Sequence, residues 1–175
     1  MQEDEMNDLT REYMIKFYPE RCIQCHGCET ACKMWRGLPY GVQYRRVINL
    51  WEGSYPGVKS HGLSLSCLHC SDPACAEVCP VEAILKQAED GRVRVDTTLC
   101  IGCRACAEAC PFGVPQFGED QVMQKCDLCV GQALAGTDPP CVATCPGRAL
   151  VLEEVTLEEK KAYETFVAKA LKGNG

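Results

Sequence analysis

At 175 residues the chain suits one domain or two small halves, and its 16 cysteines far exceed the usual share, which requires disulfides or metal. The formal charge of −6 argues against a nucleic-acid partner, and no apolar run is longer than four residues, so no transmembrane helix is expected. The thiols cluster in C-x2-C pairs rather than being dispersed as in short secreted scaffolds, which disfavours a disulfide framework.

Residues 1–12 are charged and expected to fray, and Met1 to Asp8 lack an apolar stretch, so no secretory signal is visible. Tyr13 to Tyr18 is rich in aromatic and branched residues and reads as a short strand closed by Pro19. It feeds a first motif, Cys22, Cys25, Cys28 and Cys32, spaced C-x2-C-x2-C-x3-C and followed by Lys33. The next cysteine is Cys67. The interval carries Trp35, Tyr40, Tyr44, Trp51 and Tyr55 with Arg36, Arg45 and Arg46. Tyr44 to Leu50 reads as a strand and the remainder as Gly- and Pro-punctuated loop. These aromatics suit two roles: a cover that keeps water from whatever the cysteines bind, or a docking surface, because Trp, Tyr and Arg favour interface cores.

The second motif is Cys67, Cys70, Cys75 and Cys79-Pro80, widened by the turn starter Asp72-Pro73. Ala83 to Lys86 and Arg92 to Asp96 then flank Asp90-Gly91 as a β-hairpin. The third motif, Cys100, Cys103, Cys106 and Cys110-Pro111, is a complete C-x2-C-x2-C-x3-C-P run. The fourth, Cys126, Cys129, Cys141 and Cys145-Pro146, has an eleven-residue insertion, Val130 to Pro140, and shares the C-x3-C-P ending. Ala149 to Leu152 reads as a closing strand. A capping box, Thr156-x-x-Glu159, then precedes Tyr163, Phe166, Val167 and Ala170 at helical spacing, the pattern of a helix packed on the domain.

Each iron of a [4Fe–4S] cube needs one soft ligand beyond its inorganic sulfides, so each cube needs four thiolates. Three cysteines three residues apart on a tight loop can hold three corners of one cube. The chain then leaves along a helical turn with the last cysteine, which in two-cluster bacterial ferredoxins ligates the other cluster. Proline after that cysteine stops the turn. Zinc, the rival occupant of four-cysteine sets, uses two separated knuckles rather than a local run of four. Strand, loop, helical turn, hairpin, loop and helical turn is the layout of a two-cluster ferredoxin. The expected fold is therefore α+β, two ferredoxin-like halves with tandem pseudo-twofold units, short strands, short helices and extensive loops. No nucleophilic triad, phosphate loop or dinucleotide fingerprint is present, so no catalytic residue is expected.

Four such motifs in this order resemble the iron–sulfur electron-transfer subunits of the molybdopterin oxidoreductase superfamily, in particular the dimethyl sulfoxide reductase B type. The stretches that carry the resemblance are Ser64 to Cys70, Asp72 to Cys75, Val78-Cys79-Pro80, Cys100 to Arg104, Cys110 to Gln116 and Lys125-Cys126-Asp127. It spans residues 13 to about 152. The resemblance implies four [4Fe–4S] clusters, with exchanged fourth ligands. The sets would be Cys22, Cys25, Cys28 with Cys145; Cys126, Cys129, Cys141 with Cys32; Cys67, Cys70, Cys75 with Cys110; and Cys100, Cys103, Cys106 with Cys79. It further implies one half from residues 13–66 and 120–152, with the aromatic insertion 33–66, a second half from 67–119, and a C-terminal helix over 153–175. The implied function is a relay of single electrons between a large catalytic subunit carrying a molybdenum or tungsten pterin and a quinone-reactive membrane subunit or another carrier. No C-terminal membrane helix of the kind found in some formate dehydrogenase subunits is seen. The subunit is thus expected to be soluble and to reach a membrane only through partners, in the cytoplasm or, by co-export with a signal-bearing partner, in the periplasm.

His26 and His69 lie inside cysteine loops and, beside a full set of thiolates, read as hydrogen-bonding or exposed residues rather than ligands. Lys33, Arg104, Lys125 and Arg148 stand close to ligands in sequence. A cation there would favour the more negative reduced cube, although ordinary solvated surface charge is the plainer expectation. Two other classes remain open on sequence: a free-standing polyferredoxin or maturation factor, and a zinc-stabilised scaffold.

Overall fold

Among the described residues, four separate two-stranded antiparallel ladders carry the chain from one cysteine loop to the next. The computed structural model describes residues 11–129, 131 and 136–172; the charged start, residues 1–10, and part of the insertion in the fourth motif lie outside the described residues. The elements in order are β1 (Arg11–Phe17), a 3-10 turn (Pro19–Arg21), α1 (Gly27–Arg36), β2 (Arg45–Glu52), β3 (Lys59–Ser66), α2 (Ala74–Glu77), β4 (Ile84–Lys86) and β5 (Val93–Val95). They continue with α3 (Ala105–Ala109), β6 (Gln116–Phe117), β7 (Met123–Gln124), α4 (Pro140–Ala143), β8 (Leu150–Thr156) and α5 (Leu157–Lys172). The pairs are β1 with β8, β2 with β3, β4 with β5 and β6 with β7. Apolar stretches between the cysteine motifs are short, so each makes a ladder and no broad sheet. The result is a mixed fold of short strands and short helices, as ferredoxin-like 4Fe–4S domains have.

The first and last strands close on each other. In the β1–β8 ladder Ile15 faces Leu152 and Phe17 faces Leu150, and the Tyr18 N–H donates to Ala149 O at 2.8 Å. Met14, Phe17, Leu150 and Val155 are buried there with Leu63, Leu65 and Leu68. The capping box forms as expected: the Glu159 carboxylate accepts the Thr156 N–H at 2.9 Å, and Thr156 Oγ1 accepts the Glu159 N–H at 3.3 Å. Tyr163 and Val167 of α5 pack into the same core, and each such burial contributes about 1.5–3 kcal/mol. The Phe17 N–H donates to the Tyr163 hydroxyl at 2.9 Å. A smaller cluster of Ile84, Val93, Cys106 and Met123 lies under the β4–β5 hairpin.

The structure departs from the sequence expectation at several places. Lys59–Ser66, expected as loop, is β3, whose inner residues Leu63 and Leu65 alternate with serines buried by the same packing. β8 runs four residues past Leu152, because Glu153 finds the Tyr18 hydroxyl at 2.6 Å and Lys16 at 3.7 Å. Phe166 is 44% exposed and takes little part in the helix packing. The turn of the β4–β5 hairpin is wider than Asp90-Gly91 alone, closing through Gln87 N to Arg92 O at 2.7 Å.

Candidate metal centres

One backbone device recurs in all four motifs. The residue before the second cysteine is left-handed: Gln24 (φ 55°), His69 (φ 51°), Gly102 (φ 68°) and Leu128 (φ 62°). The bend turns N–H groups inward, so that Gln24 N and His69 N lie 3.4 Å from the Sγ of Cys22 and Cys67, and Leu128 N lies 3.5 Å from Cys126 Sγ. Only glycine takes this conformation without steric cost, so the other three positions are held by what surrounds them. At the far end of the motifs Glu82, Gly113 and Arg148, each third after a Cys-Pro cysteine, are left-handed too. Ala83 N then meets Cys79 Sγ at 3.3 Å and Ala149 N meets Cys145 Sγ at 3.2 Å. Such N–H groups stabilise a negatively charged sulfur. The first motif ends differently: with Lys33 where proline would stand, α1 continues past Cys32 to Arg36 and stops at left-handed Gly37.

The tertiary structure sorts the thiols across motifs. Cys22, Cys25, Cys28 and Cys145 line one cavity; Cys67, Cys70, Cys75 and Cys110 line a second; Cys79, Cys100, Cys103 and Cys106 line a third. The spaces beside them, open in part to solvent, are similar at about 350, 330 and 310 Å³. The remaining thiols lie within electrostatic reach of one another: Cys141 and Cys129 act on Cys32, and Cys141 acts on both Cys126 and Cys129. Electrostatic influence of the same kind links Cys28 to Cys141, Cys126 to Cys67 and Cys75 to Cys106. This orders the groups as a row of electrostatic neighbours, from the Cys22 group through the Cys126 and Cys67 groups to the Cys100 group. A wider groove beside α1, lined by Glu29, Lys33, Met34 and Tyr44, contains no cysteine.

Burial pushes the Cys70 and Cys126 thiols up to about 12 and those of Cys32 and Cys75 up to about 11. A thiolate at these positions needs positive charge beside it, which iron supplies. A Cβ on Gly62 would stand 2.9 Å from Cys22 Sγ, so Cys22 holds its place only because β3 carries no side chain there. A zinc site gathers its sulfurs about 2.3 Å from one ion. Among the described residues no three Cys, His, Asp or Glu side chains converge in that way. Sulfur-walled cavities fit a cluster rather than a single ion.

The sequence profile of the 4Fe-4S dicluster domain matches residues 58–155, and that of a 4Fe-4S binding domain matches residues 19–35. Over 151 residues the protein is 42% identical to the B subunit of anaerobic dimethyl sulfoxide reductase of Escherichia coli K12, covering 81% of its own length and 73% of that subunit. The protein belongs to this family of iron–sulfur subunits. The formate dehydrogenase iron-sulfur subunit of Wolinella succinogenes is 42% identical over 162 residues, covering 78% of this protein and 80% of that one. The thiosulfate reductase electron transfer subunit PhsB of Salmonella typhi is 38% identical over 156 residues, covering 83% and 77%. As an iron–sulfur subunit of the dimethyl sulfoxide reductase B type, the protein binds 4Fe–4S clusters and transfers electrons in an oxidoreductase, without being the catalytic subunit.

Other residues singled out in this iron–sulfur subunit divide by burial. Lys125, expected at the surface, is buried, lines the second cavity and donates to Val93 O and to Cys126 O at 3.1 Å. Lys33 caps the loop after α1 through Pro39 O at 3.1 Å, and Arg104 is exposed over the Phe117 ring at 4.8 Å. Arg148 is exposed. His26 Nδ1 faces Glu29 Oε2 at 2.8 Å. His69 is fully buried, and its Nδ1 accepts the Val93 N–H at 3.0 Å, which ties the second cysteine loop to β5. Burial first, then Lys125, Lys160 and Arg92, hold this imidazole well below its ordinary range, hence neutral. Arg36 joins Asp127 and reaches Cys129 Sγ at 3.3 Å. Trp35, Tyr40, Trp51 and Tyr55 all stand exposed, which removes them from the role of cover; only Tyr44 turns inward, to Gln124 at 3.1 Å.

Proposed function

We propose that the subunit relays single electrons along four [4Fe–4S] clusters, between a large catalytic subunit bearing a molybdenum or tungsten pterin and a quinone-reactive membrane subunit or another carrier. The observation that carries this reading is the sorting of sulfurs, in which three cavities are each walled by the first three cysteines of one motif and the last of another. The ligand sets would be Cys22, Cys25, Cys28 and Cys145; Cys126, Cys129, Cys141 and Cys32; Cys67, Cys70, Cys75 and Cys110; and Cys100, Cys103, Cys106 and Cys79. When bound, each cube takes up and releases one electron. The protein's own part is to hold thiolates at fixed places, to aim N–H groups at their sulfurs and to exclude water with the core around Leu65, Leu68, Phe112 and Leu128.

The exchange of last ligands pairs the first and fourth motifs in one ferredoxin-like half, residues 13–66 and 120–152, and the second and third in another, residues 67–119. The recurring left-handed positions support this tandem arrangement. Exposed Trp35, Tyr40, Trp51 and Tyr55 supply a docking surface for the catalytic subunit. Among the described residues no helix is long and apolar enough to cross a membrane.

Affinity purification from the native host under strict anaerobiosis, with iron, sulfide, molybdenum, tungsten and zinc quantified, tests the whole. About sixteen irons and sixteen sulfides per chain, with molybdenum or tungsten in a co-eluting large subunit, is the expected result. Iron and sulfide without a partner would leave a free polyferredoxin. Mössbauer and EPR spectra of Cys145→Ser beside Cys28→Ser and Cys126→Ser test the exchange, because Cys145→Ser must lose the same cluster as Cys28→Ser and a different one from Cys126→Ser.

A further inference from the structure

Arg45, the first residue of β2, brings a charged group into the interior. It is 3% exposed, and its guanidinium forks to two serines of the facing strand: Nη1 donates to Ser64 Oγ at 3.0 Å and Nη2 to Ser66 Oγ at 2.8 Å. Both serines are buried. Ser64 Oγ lies 3.5 Å from Cys28 Sγ. With Arg45 donating to it, the hydroxyl keeps its own proton free for that sulfur. Among the described residues no carboxylate forms an ion pair with Arg45.

A buried cation without a counter-ion is costly, so the charge must be met by something else. Burial opposes the charge of Arg45, and the sulfurs of Cys141, Cys126, Cys28 and Cys32 outweigh that opposition. Those four belong to two neighbouring groups in the row. Cys28 lines the first cavity, and the other three belong to the group next to it.

We propose that Arg45 is a positioning residue at the junction of the Cys22 and Cys126 groups, whose fixed positive charge raises the midpoint potentials of both clusters, with Ser64 passing part of the effect to Cys28. Reduction adds negative charge to a cluster, and a nearby cation shielded from water favours that state with little loss to salt. The sulfurs that chiefly meet this charge belong to the first two groups, so the charge divides the row into a pair that feels it most and a pair that feels it least. Lysine keeps the charge but not the planar fork that reaches both serines. The inference rests on the ligand sets proposed above.

Redox titration of the intact, cluster-loaded complex followed by EPR tests it in wild type, Arg45→Gln, Arg45→Lys and Ser64→Ala, with Cys28→Ser identifying the signal of the Cys22 group. Arg45→Gln should lower two midpoint potentials and leave two in place, with the Cys28-linked signal among those that move. Arg45→Lys should restore most of the shift, which lost packing alone would not do. Ser64→Ala should lower the Cys28-linked potential only. Unmoved potentials at full iron content in Arg45→Gln, or an equal shift of all four, would overturn the proposal. If Arg45→Gln fails to assemble, the decision passes to Ser64→Ala, whose unchanged potential overturns it. A shifted pair that omits the Cys28-linked signal would instead refute the ligand assignment.

Discussion

Lys160, in the first turn of α5, is completely buried, and its ammonium pairs with Glu12 of β1, 148 residues earlier in the chain. The same carboxylate takes Lys86 of β4 at 2.6 Å. One acidic side chain therefore fastens the C-terminal helix, the first strand and the β4–β5 hairpin. Tyr13 N, donating to Asp90 O at 3.1 Å, adds a second tie between β1 and that hairpin.

Removing Glu12 strands the buried ammonium. Glu12→Ala should cost about 3–5 kcal/mol, the usual penalty for an orphaned buried charge. Lys160→Met combined with Glu12→Gln should recover much of it, because the desolvation cost disappears with the charge. Anaerobic thermal unfolding of the loaded protein, read in the cluster absorbance, checks both.

His69 gives a pH dependence with a definite sign. Its folded pKa lies well below the ordinary imidazole value of 6.5, so below pH 6.5 the unfolded protein takes up a proton that the folded protein does not. The stability that depends on a neutral imidazole is present above pH 6.5 and is lost as pH falls, by up to about 1.4 kcal/mol per pH unit. His69→Gln, which keeps an acceptor for the Val93 N–H, should flatten the drop in melting temperature between about pH 6.5 and 5.5. An identical slope in variant and wild type would place the acid sensitivity elsewhere.

Gly62→Ala should damage one centre and spare the others. The new methyl would meet Cys22 Sγ at 2.9 Å and Gln24 Cγ at 3.0 Å, and the sulfur cannot retreat while it serves as a ligand. Iron and sulfide analysis should show a loss approaching one cluster per chain, with one EPR signal diminished.

The cap of α5 offers a smaller test. Thr156→Ala removes the acceptor for the Glu159 N–H and should cost about 1 kcal/mol. Glu159→Gln should cost less, because a Gln side chain can still accept the Thr156 N–H. Chemical denaturation under argon would resolve the two.

Much of the molecule is legible in the residue order. The C-x2-C spacing marks the turns, Pro19 closes β1, and Thr156 with Glu159 starts α5. These features are local, because a chain of a few residues already feels the steric and hydrogen-bonding terms that decide them. β3 was hidden because Ser60, Ser64 and Ser66 read as loop, and only pairing with β2 and the guanidinium of Arg45 gives the hydroxyls of Ser64 and Ser66 a buried place. Arg45 itself stands among aromatics and another arginine, a pattern that suits a surface. Lys125 and Lys160 carry no sequence sign of burial either.

The sequence by itself determined that four thiol-rich loops exist, that their spacing favours iron–sulfur clusters and that short strands and helical turns link them. The row in which these loops stand, and the two buried cations that face them, Arg45 and Lys125, were decided only by tertiary structure. The physical reason is range. Turn geometry acts over a few bonds, whereas the charge felt by a sulfur depends on groups brought near it through space from anywhere along the polypeptide.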